Sequence, residues 1–265
     1  MRRAFTCITS LAFGTLLVTP NLAAKQTSQS AAATTASPTY DVVSIRENKS
    51  GSLKGGAGPT ADGFRATNVT AAGLLTTAYK FRNETIFGLP GWARSVHFDI
   101  EAKITDPDRE AVKELSDEQR RAMMVALLKD RFHLSAHIET RTLPVYDLVV
   151  AKNGPKLKEA KSVTGNGEQP SNLQISGTKL TAVGFPIGAL APTLNGDVGR
   201  TVVDKTGLTG IYDFTLKWRP VNATADNNDP DLFTALQEQL GLKLVPSKGP
   251  VPTLIIDHIE RPTEN

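Results

Sequence analysis

The stretch Gly207-Leu208-Thr209-Gly210-Ile211-Tyr212-Asp213-Phe214 decides the fold, because an earlier stretch has the same order of residue types. There, Gly88-Leu89-Pro90-Gly91 comes before Phe98-Asp99-Ile100. The segments upstream match as well: Phe64-Arg-Ala66 followed by Leu74 corresponds to Leu180-Thr-Ala182 followed by Leu190. This doubled order predicts a structural unit of about 90 residues that occurs twice.

Within the first unit, period-two and period-3.6 patterns predict both strands and helices. Thr70 is expected to cap one helix, and Ser116 with Gln119 forms a capping box for a second helix that ends at Arg131. Strands are predicted at 40–45, 64–69, 85–87, 97–104, 133–139 and 145–151. Residues 48–63 are predicted to be a glycine-rich loop.

The second unit is predicted to have strands at 179–183, 201–204, 211–218, 242–245 and 253–259, and a helix at 186–194. Asp229 as N-cap and Pro230 at the first helical position predict another helix, which Gly241 ends. Its inner stripe is expected to hold Leu232, Phe233, Leu236 and Leu240.

Helices with a single apolar stripe must pack on one face of a sheet, which predicts an α+β fold. We expect two tandem two-layer sandwich repeats, each in the order strand-helix-strand-strand-helix-strand-strand. The predicted divisions are a signal peptide at 1–24, a disordered tether at 25–39, repeat 1 at 40–152, a linker at 153–172 and repeat 2 at 173–262.

The N-terminus has the layout of a secretory signal peptide: Arg2 and Arg3, an apolar run, and a cleavage site with small residues at Leu22-Ala23-Ala24. The only cysteine, Cys7, would leave with it, so disulfide, thiol and cysteine-metal chemistry are excluded from the mature chain. We expect a periplasmic or extracellular protein with no membrane span in the mature chain. Loss of the two arginines lowers the net charge from +3 to +1, which argues against nucleic-acid binding.

Several motifs could carry chemistry, but each is better explained as structure. Asp204-Lys205-Thr206-Gly207 resembles a phosphorylated-aspartate motif without its partners and fits a polar turn better. His133 and His137, with Glu139, could face one way on a strand and hold a metal, but no convincing third ligand is present. We therefore predict no catalytic, cofactor-binding or metal-binding residues. Trp92, with Phe81 and Phe87 nearby, could form an aromatic docking patch, although burial against the sheet is the favoured alternative.

Residues 202–216, the helix Phe233–Leu242 and the tail Ile256-Asp257-His258-Ile259-Glu260-Arg261-Pro262 resemble the soil-associated family of exported bacterial proteins of unknown function. That resemblance covers nearly all of the mature chain and implies no catalytic residues. It also hints at envelope signalling, because the family is similar to a module fused behind membrane peptidases of the antibiotic-sensor type. Each repeat is more weakly similar to the short N-terminal signalling domain of secretins and TonB-dependent receptors, which binds other proteins in the periplasm.

These observations favour a non-catalytic protein-interaction or signalling module that binds an envelope protein, by adding a strand or packing a sheet face. The alternative is a small-ligand-binding protein or hydrolytic enzyme with a site between the repeats. That alternative would use carboxylates such as Asp99, Asp204 or Asp213, although a turn or capping role explains the recurrence of Asp99 and Asp213 equally well.

Overall fold

The computed structural model describes residues 39–52, 54–105, 112–160, 172–220 and 228–264. The predicted signal peptide, nearly all of the predicted tether and most of the predicted linker lie outside these residues. Within them, helices and strands are mixed and form several small sheets, so the α+β class is confirmed. The division into two repeats stays a prediction.

Among the described residues, the first half of the chain forms a four-stranded sheet and several helices. Its strands are β1 (Val42–Glu47), β2 (Gly56–Thr60), β3 (Gly63–Thr70), β4 (Ile86–Phe87) and β5 (His97–Lys103), and its helices are α1 (Ala71–Tyr79), α2 (Trp92–Ser95) and α3 (Asp117–Arg131). The sheet has the order β1-β5-β3-β2. The predicted caps are confirmed, because Thr70 accepts from the Gly73 N–H and Ser116 forms its capping box with Gln119.

The second half builds a sheet with the order β7-β11-β9-β8. Its elements are β7 (Lys158–Glu159), β8 (Asn172–Ser176), β9 (Lys179–Pro186), α4 (Leu190–Val198), β10 (Val202–Asp204), β11 (Ile211–Lys217) and α5 (Leu232–Ala235), which continues as a π-helical turn (Leu236–Leu240). Gly241 ends this helix in the left-handed conformation, as predicted.

Two long strands form a third sheet that both halves share. They are β6 (Ser135–Val150) and β12 (Leu242–His258), paired antiparallel over their whole length, in a sheet of order β10-β6-β12-β4. The sequence predicted two shorter strands in place of each, broken near the prolines. Those breaks are wrong, because β6 and β12 stay paired through every one of these prolines.

The core consists of two apolar clusters, and the long strands contribute to both. Ala136, Leu254 and Ile256 pack in the first cluster, whereas Leu148 and Leu244 pack in the second. Trp92 packs against the first cluster, and Trp218 is buried in the second. The strands β6 and β12 therefore tie the two clusters together.

Three further predictions of local structure were wrong. The glycine-rich loop contains β2, which pairs with β3 from Gly56 to Thr60. The N-cap of α5 is Asp231 rather than Asp229, because the Pro230 carbonyl accepts from the Arg219 N–H at 2.8 Å and Asp229 forms an ion pair with Lys217. Phe233 is 43% exposed, because the buried stripe of this helix runs through Leu232, Leu236 and Leu240.

Candidate functional site

The hydrogen bonds around β10 show which way the backbone groups of β6 point. Tyr146 donates its N–H to the Thr201 carbonyl at 2.9 Å, and the Leu148 carbonyl accepts from the Lys205 N–H at 2.9 Å. Both groups point away from β12, and backbone direction alternates along a strand. The even-numbered residues of β6 therefore direct their N–H and C=O groups outward, and the odd-numbered residues bond to β12.

The same parity applies to β12, because even residues face even residues in the register, as Tyr146 faces Pro246. Pro246, Pro250 and Pro252 thus all lie at outward positions, where the missing N–H removes no bond to β6. Pro144 of β6 also lies at an outward position. Between Pro246 and Pro252 only Lys248 can offer an outward N–H, so this edge of β12 is closed to a further strand.

The opposite edge, on β6, is open. We call the outward positions Ala136, Ile138, Thr140 and Thr142 the free edge of β6. Their N–H and C=O groups pair with no strand in the described part of the chain, since β10 first meets β6 at Tyr146. Ile138 is 63% exposed, more than any other large apolar side chain among the described residues. This edge is an available template for an extended segment.

Charged side chains flank the free edge on the other face of β6. Arg141 forms an ion pair with Glu139 at 3.2 Å, and its guanidinium lies 5.0 Å from the centre of the Phe87 ring. His137 contacts Asp257 of β12 at 2.9 Å. A segment added here would meet an acidic and a basic group two residues apart.

Asp99 and Asp213 have the same structural role in the two halves of the chain. Opposite Asp99, strand β3 carries a bulge between Ala66 and Val69, and Asn68 adopts φ 55°. Asp99 Oδ1 accepts from the Asn68 N–H at 2.8 Å and from Asn48 Nδ2 at 2.8 Å. The carboxylate thus satisfies an N–H that the bulge removes from the ladder.

Opposite Asp213, strand β9 has the corresponding bulge, between Ala182 and Phe185. Gly184 adopts φ 60°, and its N–H donates to Asp213 Oδ1 at 2.8 Å. Asp204 instead accepts from the backbone N–H and hydroxyl of Thr206 and so closes a turn. The structure does not bring these three carboxylates together, and each has a structural partner.

The histidine pair does not share a strand face. His133 adopts φ 49° and precedes β6, whereas His137 lies within it. No group of three or more histidine, cysteine, aspartate or glutamate residues that could hold a metal is found among the described residues. Of the aromatic patch, Trp92 and Phe81 pack partly buried against the first core, with Trp92 edge-on to Phe98 at 6.4 Å.

A cavity of about 290 Å³ lies in the first half, between the β2–β3 hairpin and helices α1 and α3. Its apolar floor contains Phe64 and Met124. Lys80, Arg121 and the carboxylate Asp117 also line it, and the side chains of Lys80 and Arg121 have no hydrogen-bond or ion-pair partner among the described residues. The third cation of the lining, Arg120, donates to backbone carbonyls that precede its helix. Two other cavities, at Arg46 and at Trp218, likewise lie each within one half of the chain.

The sequence did not predict the free edge, although it held a signal for it. Pro246, Pro250 and Pro252 are separated by even numbers of residues, so in a strand they all fall on one edge. Such a pattern indicates a continuous strand with one guarded edge better than it indicates a break. It leaves the edge of the partner strand as the one to examine.

Comparison with known proteins gives a family and no function. No curated protein and no solved structure matches this chain. Across the part that the structure describes, none of the helices has the length and apolar character needed to cross a membrane. A model of the family described as "Protein of unknown function (DUF3738)" matches residues 72–259, which include the second core, most of the first and both long strands. The chain therefore belongs to the DUF3738 family.

Proposed function

We propose that this chain is an exported, non-catalytic interaction module of the bacterial cell envelope that binds an extended segment of another chain at the free edge of β6. Strand addition supplies affinity through backbone hydrogen bonds and specificity through alternate side chains. The carboxylates that could have served catalysis hold bulges and turns instead, which favours a binding role.

One observation carries this proposal: the contrast between the two edges of the shared sheet. The β12 edge is closed by three prolines, whereas the β6 edge keeps its N–H groups and exposes Ile138. Exposed strand edges promote unwanted pairing, and proteins usually guard them with proline, charge or a covering element. An edge that keeps its N–H groups, beside one that three prolines close, is consistent with selection for pairing.

The other parts of the proposal rest on the sequence and on the matched bulges. Arg2, Arg3 and the apolar run after them support export. The equal placement of Asp99 and Asp213 opposite bulges supports duplication of an ancestral unit. The weak similarity to the signalling domains of secretins and TonB-dependent receptors, which bind proteins in the periplasm, points in the same direction.

A photo-crosslinking residue placed at Ile138 of the full chain, in cells that express it, tests the proposal. The matched control carries the same residue at Lys248, at an outward position on the guarded edge. We expect a crosslinked protein from position 138 and none from position 248. Adding Thr140→Pro should abolish the product, because proline removes a central N–H of the free edge. Equal products from both positions, or a product insensitive to this substitution, would contradict the proposal.

The cavity in the first half favours a second candidate function, the binding of a small amphipathic anion. Phe64 and Met124 would contact its apolar part, and Lys80 and Arg121 would attract its charge. Burial raises the pKa of Tyr40, which also lines the cavity, to about 12, so its phenol stays protonated and can donate a hydrogen bond. This site lies within one half, not between the two.

A thermal-shift series with straight-chain carboxylates tests this second candidate. Ala57 faces Ala66 in the β2–β3 register and so lies on the cavity side of the hairpin, where Ala57→Trp should fill the space. Decanoate should raise the melting temperature of the natural chain and leave that of this variant unchanged. A matching rise with decanol, which has no charge, would contradict the role assigned to the two cations.

A further inference from the structure

The free edge of β6 suits pairing with β6 of a second copy of this chain. Three features fit: the length of the open segment, the outward direction of the even-numbered residues, and the order of the charges along the strand. We propose that two copies of this chain pair antiparallel through β6, about a two-fold axis at Thr140, into one continuous eight-stranded sheet. This inference rests on the proposed function, because it names the chain that occupies the same edge.

The length of the unpaired segment sets the position of the axis. β6 begins at Ser135, and its outward edge is open until Tyr146, where the Thr201 carbonyl takes the N–H. Thr140 lies midway between Ser135 and Val145. A two-fold axis there uses the whole open segment, because Ser135, the first residue of β6 in one copy, then lies opposite Val145 of the other, next to β10.

The parity of β6 fits this axis. In antiparallel pairing, outward-directed residues must face outward-directed residues to exchange their N–H···O bonds. An axis at Thr140 pairs Thr140 with Thr140 of the second copy and Ile138 with Thr142. All of these are outward positions. Pro144 faces Ala136 of the second copy at each end of the ladder, where the loss of one N–H costs least.

The side chains on both faces are then complementary. On one face, the exposed Ile138 packs beside the methyl group of Thr142. On the other face, Glu139 lies directly opposite Arg141 of the second copy, and by symmetry this pair occurs twice. An axis one residue earlier, at Glu139, would instead place Glu139 opposite Glu139, which opposes pairing. The charge order therefore selects Thr140 as the centre.

Sedimentation velocity over a wide concentration range, on the chain lacking residues 1–24, tests the proposal. Edge pairing alone buries little surface, so we expect a weak, concentration-dependent dimer. Thr140→Pro should remain folded by circular dichroism, since the Thr140 N–H has no partner among the described residues, and it should be monomeric throughout. Lys248→Pro, at an outward position of the closed edge, should still dimerise like the natural chain.

A charge exchange gives a more specific test. Glu139→Arg places arginine opposite arginine, and Arg141→Glu places glutamate opposite glutamate, so each variant alone should dimerise at least about tenfold more weakly. Mixed in equal amounts, the two variants should form a heterodimer in which every charge again faces its opposite. Melting temperatures measured in parallel show whether either variant has lost its fold.

Three results would overturn the dimer: a natural chain that stays monomeric at every concentration, a Thr140→Pro variant that dimerises normally, or a mixture that behaves as the sum of its parts. A monomeric natural chain that still crosslinks from position 138 to a different protein would refute the dimer and leave the proposed function standing. A chain that neither dimerises nor crosslinks at this edge would refute both.

Discussion

Replacing Asp99 by alanine should destabilise the fold by about 2–3 kcal/mol. Its Oδ1 accepts from the Asn68 N–H and from Asn48 Nδ2, both at 2.8 Å. A hydrogen bond to a charged group contributes about 1.5–3 kcal/mol when the site is shielded, and Asp99 is only half-buried, which places each bond at or below the low end. The substitution also leaves the bulge N–H without its acceptor.

Asp213→Ala is the matched comparison, because Asp213 satisfies an equivalent bulge with a single hydrogen bond within the described residues, from the Gly184 N–H at 2.8 Å. It should cost about 1–1.5 kcal/mol, close to half the effect at Asp99. Asp99→Asn should recover part of the loss, since the amide oxygen can still accept from Asn68.

Urea denaturation followed by far-ultraviolet circular dichroism measures these differences, provided that the m-values stay equal. Asp130→Ala, which removes an exposed carboxylate whose side chain has no partner among the described residues, controls for the loss of a negative charge. A cost below about 0.5 kcal/mol at Asp99, or a larger cost at Asp213 than at Asp99, would refute the reasoning that these carboxylates hold bulges.

Four other sites in the fold can be tested by single substitutions. Gly241→Ala should lower the free energy of unfolding by more than about 1 kcal/mol in urea denaturation, because φ is +64° and the new Cβ would lie 2.2 Å from the Gly154 carbonyl oxygen. Gly154→Ala is the control: its Cβ would meet no atom within 4 Å, so its cost should be limited to the backbone strain of a positive φ. The backbone hydrogen bond from Thr234 lowers the pKa of Asp231, so its N-cap stabilisation is present above the ordinary aspartate pKa and lost as pH falls; the difference in melting temperature from Asp231→Ala should shrink in acid. Tyr40→Phe should remove the tyrosinate absorbance that appears last, near pH 12, in an alkaline titration. Leu148→Ala should cost about 2–5 kcal/mol and shift the unfolding of both tryptophans equally in single-tryptophan variants, since β6 joins the two cores.

The helices were the most predictable part of the fold, because their end signals act locally. Thr70, Ser116 with Gln119, and Gly241 each satisfy or end a helix through bonds within a few residues. The start of α5 was harder, because Asp229 and Asp231 both suit an N-cap. Tertiary contacts decided between them: Lys217 binds the first aspartate, and the Arg219 N–H binds Pro230.

The strands were less predictable, because their stability comes from partners far away in the sequence. The glycines of β2 give no strand signal in the sequence, because this strand is stabilised by its backbone hydrogen bonds to β3 and not by its side chains. The role of Asp99 needed the same kind of information, since its bulge is visible only once β3 and β5 are paired. The sequence predicted that Asp99 and Asp213 recur at equivalent places. It could not show whether these carboxylates serve a reaction or hold the backbone of a bulge.

The shared sheet explains why a duplicated fold would expose one edge and close the other. Each half contributes one long strand, and the two run antiparallel, so the outer edges of β6 and β12 face opposite sides. β10 covers β6 beside the second core, and β4 covers β12 beside the first, which leaves one open stretch on each strand. If the halves were functionally equivalent, both stretches would be treated alike. Instead, β12 carries three outward prolines and β6 carries Ile138, Glu139 and Arg141. The two long strands therefore differ at their outer edges, and this difference is why we propose a binding role for β6 of the first half and not for β12.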